Sequence, residues 1–230
     1  MSTQVRWLGH ACLEIETDGQ TILIDPFLTD NPKAAAKPED LNPDFILISH
    51  GHGDHVGDSV AIAKRTGALV IANYEIATWL QQKQGLKKVH GMQHGGGHDF
   101  PFGRLKLTLA FHGSALPDGS NGGNPCGFYF TFKDGTRVYD AADTALFGDM
   151  TLIGEEGIDL ACLPIGDNFT MGPDDAIRAL KRLKPKKVLP IHYNTWDLIA
   201  QDASVWGQRV AKETSAEAVV LNPGEAVEVG

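Results

Sequence analysis

Apolar and polar positions in the first part of the chain follow a pattern typical of short β-strands. One boundary between these strands is Asp18-Gly19, a dipeptide that is common in two-residue hairpins. The third strand ends at Asp25-Pro26, because proline cannot donate the next hydrogen bond of a sheet. The three predicted strands cover residues 5–8, 12–16 and 21–24.

Further along the chain, predicted strands alternate with predicted helices. Short apolar runs indicate buried strands, and the stretches between them show helical spacing with glycine or proline near their ends. Further strands are expected at residues 45–48, 68–72, 105–111, 127–132, 136–139, 158–164, 186–191, 218–221 and 226–229. Helices are expected at residues 59–66, 75–84, 145–153, 173–183 and 205–213. The mixture predicts an α/β protein that forms a single domain over residues 1–230.

Composition narrows the class of protein. Hydrophobic residues make up 42% and charged residues 21% of the chain, which is ordinary for a globular protein. A formal net charge of −9 argues against nucleic acid as a partner. Three cysteines without C-x-x-C spacing indicate a reducing compartment. With no signal-peptide core and no membrane-length apolar run, we expect a cytoplasmic protein that acts on a small molecule, without a membrane partner, and we leave homo-oligomer formation open.

The densest candidate chemistry lies directly after the predicted strand at residues 45–48. The motif is H-x-H-x-D-H and contains His50, His52, Asp54 and His55. Buried imidazoles each need a partner and repel one another when protonated, and a divalent metal removes both problems. His50 and His52 are two residues apart in extended chain and can face one ion, whereas Asp54 and His55 are better placed for a second. The alternative is a histidine-rich surface loop without metal.

Three more candidate ligands follow predicted strands. His112, Asp143 and His192 each lie at a strand end, where functional residues gather in layered α/β proteins. For Asp143 the alternative is an N-cap of the helix predicted at residues 145–153.

Other polar residues near predicted strand ends remain open to two interpretations. Asp25 could accept the second N–H of a ligand histidine, or it could form an Asx-type turn before proline. His10, alone in a turn, is interpreted as structural. The glycine-rich stretch at residues 90–98 is predicted to be a flexible connection between hairpin strands, so His94 and His98 are expected to be solvated rather than bound to metal.

Several short motifs together resemble one branch of the metallo-β-lactamase-fold hydrolases. The H-x-H-x-D-H motif is followed by histidine, aspartate and histidine, which is the ligand order of the two-metal members. The branch contains metal-dependent hydrolases related to the ascorbate-phosphate lactonases and the N-acylphosphatidylethanolamine phospholipases D. The matching stretches span essentially the whole chain: Trp7-Leu8-Gly9-His10, Leu23-Ile24-Asp25-Pro26, Ala142-Asp143-Thr144, Leu163-Pro164-Ile165-Gly166 and Pro190-Ile191-His192.

The resemblance implies a four-layer αββα sandwich of the metallo-β-lactamase type, with two mixed sheets flanked by helices. It also implies a dinuclear metal centre at one edge of the sheets, in which Asp143 bridges both ions. The first ion would be bound by His50, His52 and His112, and the second by Asp54, His55 and His192. In the resemblance His10 also falls near this centre.

Three departures from related proteins limit the expected activity. The cysteine ligand of the zinc β-lactamases has no counterpart, since Asp143 stands in that place. The redox di-iron members usually carry glutamate where this chain has His52. A chain of 230 residues also lacks room for the large insert of the RNA-cleaving members. Antibiotic hydrolysis, oxygen reduction and RNA processing are therefore not expected.

The expected function is metal-dependent hydrolysis, in which a hydroxide that bridges two divalent ions attacks an ester, lactone or phosphodiester. Zinc suits the histidines, and the mixed nitrogen and oxygen ligands also admit manganese or iron. Asp54 would orient the nucleophile or take its proton, and Asn168 would donate a hydrogen bond to the developing oxyanion unless it only forms a turn. The alternative is a non-catalytic metal-binding or sensor protein that retains the dinuclear site.

The predicted loops give an expectation for the substrate. Two polar loops, at residues 27–42 and 115–125, should flank the metal centre. They offer Lys33 and Lys37 but little continuous apolar surface. A small polar or phosphorylated substrate is therefore expected rather than a membrane lipid.

Overall fold

Two seven-stranded β-sheets lie face to face in the computed structural model, which describes residues 2–230. The first sheet contains β1 (Thr3–Gly9), β2 (Cys12–Thr17), β3 (Gln20–Ile24), β4 (Phe45–Ile48), β5 (Leu69–Asn73), β6 (Val89–Met92) and β14 (Ala226–Val229). The second contains β7 (Gly97–Phe100), β8 (Gly103–Leu109), β9 (Cys126–Phe132), β10 (Arg137–Asp140), β11 (Leu160–Pro164), β12 (Lys187–Ile191) and β13 (Glu217–Ala218).

The two sheets share one pairing pattern. The strand order of the first sheet is β14-β1-β2-β3-β4-β5-β6, antiparallel as far as β3 and parallel from β3 onward. The second has the order β13-β12-β11-β10-β9-β8-β7, antiparallel from β7 to β10 and parallel from β10 to β13. Because the carboxyl ends of parallel strands lie at one edge of a sheet, the loops after β3, β4, β10 and β12 are natural places for a shared site.

Helices cover the outer faces of both sheets. On the first sheet, α2 (Ser59–Thr66) contacts β4 and β5, and α3 (Tyr74–Gln82) contacts β5 and β6. Beside the second sheet, α6 (Ala203–Glu213) contacts β13 and packs on α5 (Pro173–Leu183), which in turn contacts α4 (Met150–Glu155). A short helix, α1 (Gly53–Val56), carries part of the histidine motif. This arrangement confirms the predicted four-layer αββα sandwich with two mixed, helix-flanked sheets.

The alternation of side chains along β4 explains the layers. Phe45 and Leu47 point into the core between the sheets, and the Phe45 ring lies 4.9 Å from the Phe102 ring. Ile46 and Ile48 point the other way and join the core beneath α2 and α3. Since successive side chains of a strand face opposite sides, a fully apolar strand is what a sheet covered on both faces needs. No helix within residues 2–230 is both long and apolar enough to cross a bilayer.

The predicted hairpin at residues 90–98 was wrong. The strand at its start, β6, pairs with β5 in the first sheet, whereas the strand at its end, β7, pairs with β8 in the second. Residues 93–96 therefore pass from one sheet to the other. A glycine-rich connection of this length fits a hairpin turn or a crossing between sheets equally well, so the local sequence cannot distinguish the two.

The helix predicted at residues 145–153 was also partly wrong. In the structure α4 begins only at Met150, with Asp149 at its N-cap position, so Asp143 does not cap it. The preceding segment pairs with Phe111 instead: Phe111 N–H donates to Thr144 Oγ1 (3.0 Å), and Ala145 N–H donates to the Phe111 carbonyl (3.1 Å). These bonds fix residues 144 and 145 beside Phe111, which follows the end of β8.

Gly9 lies in the hairpin that carries His10, and Gly19 in the next hairpin provides a matched comparison. Both have positive φ, 102° and 74°. A Cβ atom at Gly9 would overlap the backbone of Lys33, whereas nothing lies within 4 Å of a Cβ at Gly19. We expect Gly19→Ala to lower the free energy of unfolding by about 1–2 kcal/mol through backbone strain, and Gly9→Ala to lower it further because the loop at Lys33 must also move. Urea denaturation measures both losses, and equal losses would contradict the close approach at Gly9.

Candidate metal centre

The seven predicted metal ligands lie together at the carboxyl ends of strands from both sheets. The first sheet supplies four of them through the loop after β4 and through α1, and the second supplies three through the loops after β8, β10 and β12. We call these residues the metal centre residues: His50, His52, Asp54, His55, His112, Asp143 and His192.

Three histidines form a first group. One ring nitrogen of each of His50, His52 and His112 lies within 4.8 Å of the others. The His50 Nε2 and His52 Nδ1 atoms are 3.0 Å apart, and the His112 ring centroid lies 5.0 Å and 4.9 Å from those of His50 and His52. The three rings therefore enclose a space that one ion could occupy.

Asp54, His55 and His192 form a second group, and the structure adds His10 to it. One oxygen of Asp54 and one nitrogen of each histidine, His10 included, lie within 4.8 Å of one another. Asp54 Oδ2 is 3.9 Å from the Nε2 atoms of both His55 and His192.

The Asp143 carboxylate lies between the two groups. On the side of the second group, its Oδ2 atom is 3.0 Å from His192 Nε2 and 3.3 Å from His55 Nε2. On the side of the first group, it is 3.4 Å from His112 Nε2 and 4.0 Å from His50 Nε2. One carboxylate is thus within reach of ions held by either group.

Unpartnered atoms in this cluster fit a bound metal. Within residues 2–230, His55 Nε2, His192 Nε2 and Asp143 Oδ1 are buried without a hydrogen-bond partner. The 3.0 Å approach of His192 to Asp143 lacks hydrogen-bond geometry. Buried polar atoms without partners are costly and uncommon. Imidazole nitrogen and carboxylate oxygen are ligands for zinc and other divalent metals, so these residues fit such an ion.

The pKa shifts of these residues also favour a bound metal. Burial lowers the pKa values of His50 and His112, which keeps these rings neutral and able to donate a lone pair to a metal. Burial would raise the pKa of Asp143, but His192 and His55 hold it well below its usual value. For His55, burial is outweighed by Asp143 and Asp25, which raise its pKa well above normal. Its surroundings thus favour a positive charge, which a metal ion at Nε2 would supply in place of a proton.

Asp25 orients a histidine from each group. Its Oδ2 atom lies 2.7 Å from His55 Nδ1 and accepts from Ser49 Oγ at 2.5 Å, while Oδ1 accepts from the Ser49 N–H at 2.8 Å. Ser49 Oγ is 3.0 Å from His50 Nδ1. With the Ser49 proton directed at Asp25, Ser49 Oγ accepts from His50, so both rings turn Nε2 toward the metal centre. This is the carboxylate support that the sequence predicted for a ligand histidine.

His10 has a role that its position in the sequence left open. Burial lowers its pKa to about 4, so its contact with Asp54 is a hydrogen bond from a neutral ring rather than an ion pair. His10 Nε2 lies 3.1 Å from Asp54 Oδ2, and His10 Nδ1 lies 2.7 Å from Thr195 Oγ1. Since Asp54 can only accept, Nε2 carries the proton and Thr195 donates to Nδ1. The signal available in the sequence was a histidine at a strand end.

Strained backbone accompanies the site. His10, Asp25, Ala142 and His192 all have positive φ, between 44° and 55°. Such conformations are unfavourable for residues with side chains and persist where the surrounding contacts fix them, often at functional sites.

Other candidate residues do not join the cluster. Asn168 is exposed and has a φ of 52°, and the cavity beside the metal centre residues is lined by its neighbour Phe169 instead, which favours the turn interpretation of Asn168. His94 Nε2 lies 2.8 Å from the Pro125 carbonyl, and His98 is exposed beside His90, at 4.5 Å between ring centroids. The expectation that His94 and His98 lie outside the metal site therefore agrees with their positions.

A cavity of about 490 Å³ opens over the metal centre. Five of its lining residues are metal centre residues, with members of both groups among them, and two others are aromatic. The cavity is lined by His52, Gly53, Asp54, His112, Asp143, Phe169, His192 and Trp196. A small molecule could thus reach the metal centre from solvent.

Known proteins with similar sequences and structures carry related descriptions. Residues 4–192 match a family described as "Beta-lactamase superfamily domain". A UPF0173 metal-dependent hydrolase of Pelotomaculum thermopropionicum is 51% identical over 231 residues, which cover 98% of this chain and 100% of that protein. One from Thermus thermophilus is 52% identical over 225 residues, covering 97% and 98%. Igni18, a metallo hydrolase from the archaeon Ignicoccus hospitalis, has a TM-score of 0.90 at 37% identity, covering 99% and 98%.

Asp25 and Ser49 provide a test of how the two groups are held. We expect Asp25→Asn to weaken metal binding at both groups by about 10–100-fold, because His55 in one group and His50 in the other depend on Asp25 for their orientation. Ser49→Ala should weaken metal binding only at the group that contains His50, since it leaves the contact between His55 and Asp25 in place. Metal titration against a competing chelator measures the affinity at both groups.

The double variant His94→Ala/His98→Ala is the matched control, because both histidines lie outside the two groups. Its metal content should equal that of the wild type. A loss of metal in this control, or unchanged binding in Asp25→Asn, would contradict the assignment.

Proposed function

Since the chain belongs to the β-lactamase superfamily as a metal-dependent hydrolase, we propose that it uses two divalent ions to hydrolyse a small ester, lactone or phosphodiester. Membership confirms the resemblance that the short motifs predicted. In the proposal the first group would hold one ion, and Asp54, His55 and His192 of the second group would hold the other, with Asp143 within reach of both. The observation that carries it is the position of Asp143 Oδ2, within 4.0 Å of imidazole nitrogens from both groups.

When bound, divalent ions would act as Lewis acids that lower the pKa of a water and polarise the substrate oxygen. Zinc is the first choice for a site rich in histidine, and manganese or iron also suit mixed nitrogen and oxygen ligands. A cavity that opens over the residues favours catalysis over a purely structural or sensing role, because structural metal sites are usually closed by protein ligands.

Asp54 is the residue proposed to act on the attacking water. It lines the cavity with 27% of its side chain exposed, so it can contact both the metal centre and an entering water. Burial would raise its pKa, but the hydrogen bond from His10 and the neighbouring His55 hold that pKa below its usual value. Asp54 is therefore an ionised acceptor at neutral pH that would orient the attacking water, and its lowered pKa makes it too weak a base to hold the proton of that water. His10 and Thr195 fix the direction in which it points.

The expected polarity of the substrate stays a prediction without structural support. That expectation depended on Lys33 and Lys37, and both side chains are exposed on the loop after β3 and do not line the cavity. Asn168 receives no catalytic role in the proposal, because it does not line the cavity either.

Asp143→Ala tests the shared ligand. The variant should lose at least one of two ions and should hydrolyse bis(p-nitrophenyl) phosphate and p-nitrophenyl acetate at least about 100-fold more slowly, since ligand loss exceeds the 10–100-fold effect of a supporting residue. Elemental analysis and initial rates measure the two effects.

His98→Ala is the control, because this exposed histidine lies outside both groups. Two ions and a wild-type rate in Asp143→Ala would sink the dinuclear proposal. Two ions bound to the wild-type protein without turnover of any activated substrate would favour the non-catalytic alternative.

A further inference from the structure

Two exposed aromatic side chains line the cavity over the metal centre. Phe169 is 51% exposed and Trp196 is 40% exposed. Large aromatic side chains bury much apolar area when they are covered and usually lie inside. Phe169 belongs to the loop after β11 and Trp196 to the loop after β12, so two neighbouring strand ends place aromatic rings at the mouth of one cavity.

The backbone holds Phe169 in its exposed position. The two preceding residues, Asp167 and Asn168, have φ values of 63° and 52°. Asp167 N–H donates to the Met171 carbonyl at 3.1 Å, and Met171 N–H donates to the Thr144 carbonyl at 3.0 Å. The loop is therefore closed on itself and tied to the segment that carries Asp143. Strain of this kind persists where the surrounding structure fixes it, which is common around binding sites.

Trp196 is supported from within the site. Its ring lies 5.0 Å from that of His10 and 6.1 Å from that of Phe27, measured between centroids. Since His10 also contacts Asp54, the tryptophan stands directly beside the second group. Within residues 2–230, no ring contact joins Phe169 to Trp196, and both side chains line the same cavity.

The side chains that line the cavity offer no cationic partner to an anionic substrate group. None of the eight lining residues is a lysine or an arginine, and the charged ones are the carboxylates of Asp54 and Asp143. A phosphate beyond the reacting bond would lie near carboxylates without a cationic side chain to pair with it.

We infer that the substrate carries a compact, uncharged aromatic or branched apolar group next to the bond that is cleaved, and that Phe169 and Trp196 bind this group. The inference depends on the proposed hydrolase function and names its substrate class. Aromatic walls favour an apolar ring through burial and ring–ring contact. A volume of about 490 Å³ lies within the usual range for a small-molecule pocket.

Three esters with the same methanol leaving group test the inference: methyl phenylacetate, methyl acetate and methyl phosphonoacetate. Acid release in a pH-stat gives the rates with metal-loaded protein. We expect kcat/KM to be at least about 10-fold higher for methyl phenylacetate than for the other two, since each apolar group bound in a pocket is worth roughly that factor.

Phe169→Ala and Trp196→Ala should each lower kcat/KM for methyl phenylacetate by about 10-fold, mainly through KM, with unchanged metal content. Trp196→Phe should restore most of the loss, because it keeps an aromatic face. Leu198→Ala is the matched control, since this side chain is 62% exposed beside Trp196 but does not line the cavity.

Calorimetric binding of phenylacetone, a ketone that cannot be hydrolysed, separates the inference from the proposed function. Weaker binding in the Phe169 and Trp196 variants, together with no turnover of any ester, would overturn the hydrolase proposal and keep the apolar site. Turnover with a preference for methyl phosphonoacetate, or phenylacetone binding that neither variant changes, would overturn the inference alone.

Discussion

The buried Asp143 carboxylate among four imidazoles is the constraint around which the rest of the structure is arranged. It comes from the second sheet, yet its oxygen lies 3.3 Å from His55, which the first sheet carries. Without a cation, a carboxylate buried with unpartnered imidazole nitrogens would cost several kcal/mol. The two sheets must therefore present their strand ends at the same place. The shared pairing pattern, antiparallel and then parallel in each sheet, achieves this.

A second layer of contacts keeps these ligands in position. Asp25 reaches His55 directly and His50 through Ser49, so one carboxylate sets the ring orientation in both ligand groups. His10 does the same for Asp54 on the other side of the site. Asp25 and His10 both have positive φ, so these contacts cost backbone strain at the two residues. The buried sheets around Asp25 and His10 are rigid enough to maintain that strain.

How much the sequence could predict depended on how local each signal was. The H-x-H-x-D-H motif and the apolar strand before it lie within a few residues of each other, and the structure brings these residues together as expected. The role of His10 could not be found this way, because its partner Thr195 is 185 residues away. The supposed hairpin at residues 90–98 failed for a similar reason, since strand partners are chosen by the packing of whole sheets. The aromatic walls also depend on loop conformations that local composition does not determine.

These features divide binding and chemistry between two parts of one cavity. The cations would lie at its floor, beside the carboxylates, while the walls at its mouth are aromatic and uncharged. Cations at the floor would attract the substrate atoms that react. They would stabilise the charge that develops in the transition state more than they stabilise the bound substrate. In the inferred binding mode the aromatic walls would contact parts of the substrate that do not change during hydrolysis, so they would hold the reacting bond in place over the metal centre.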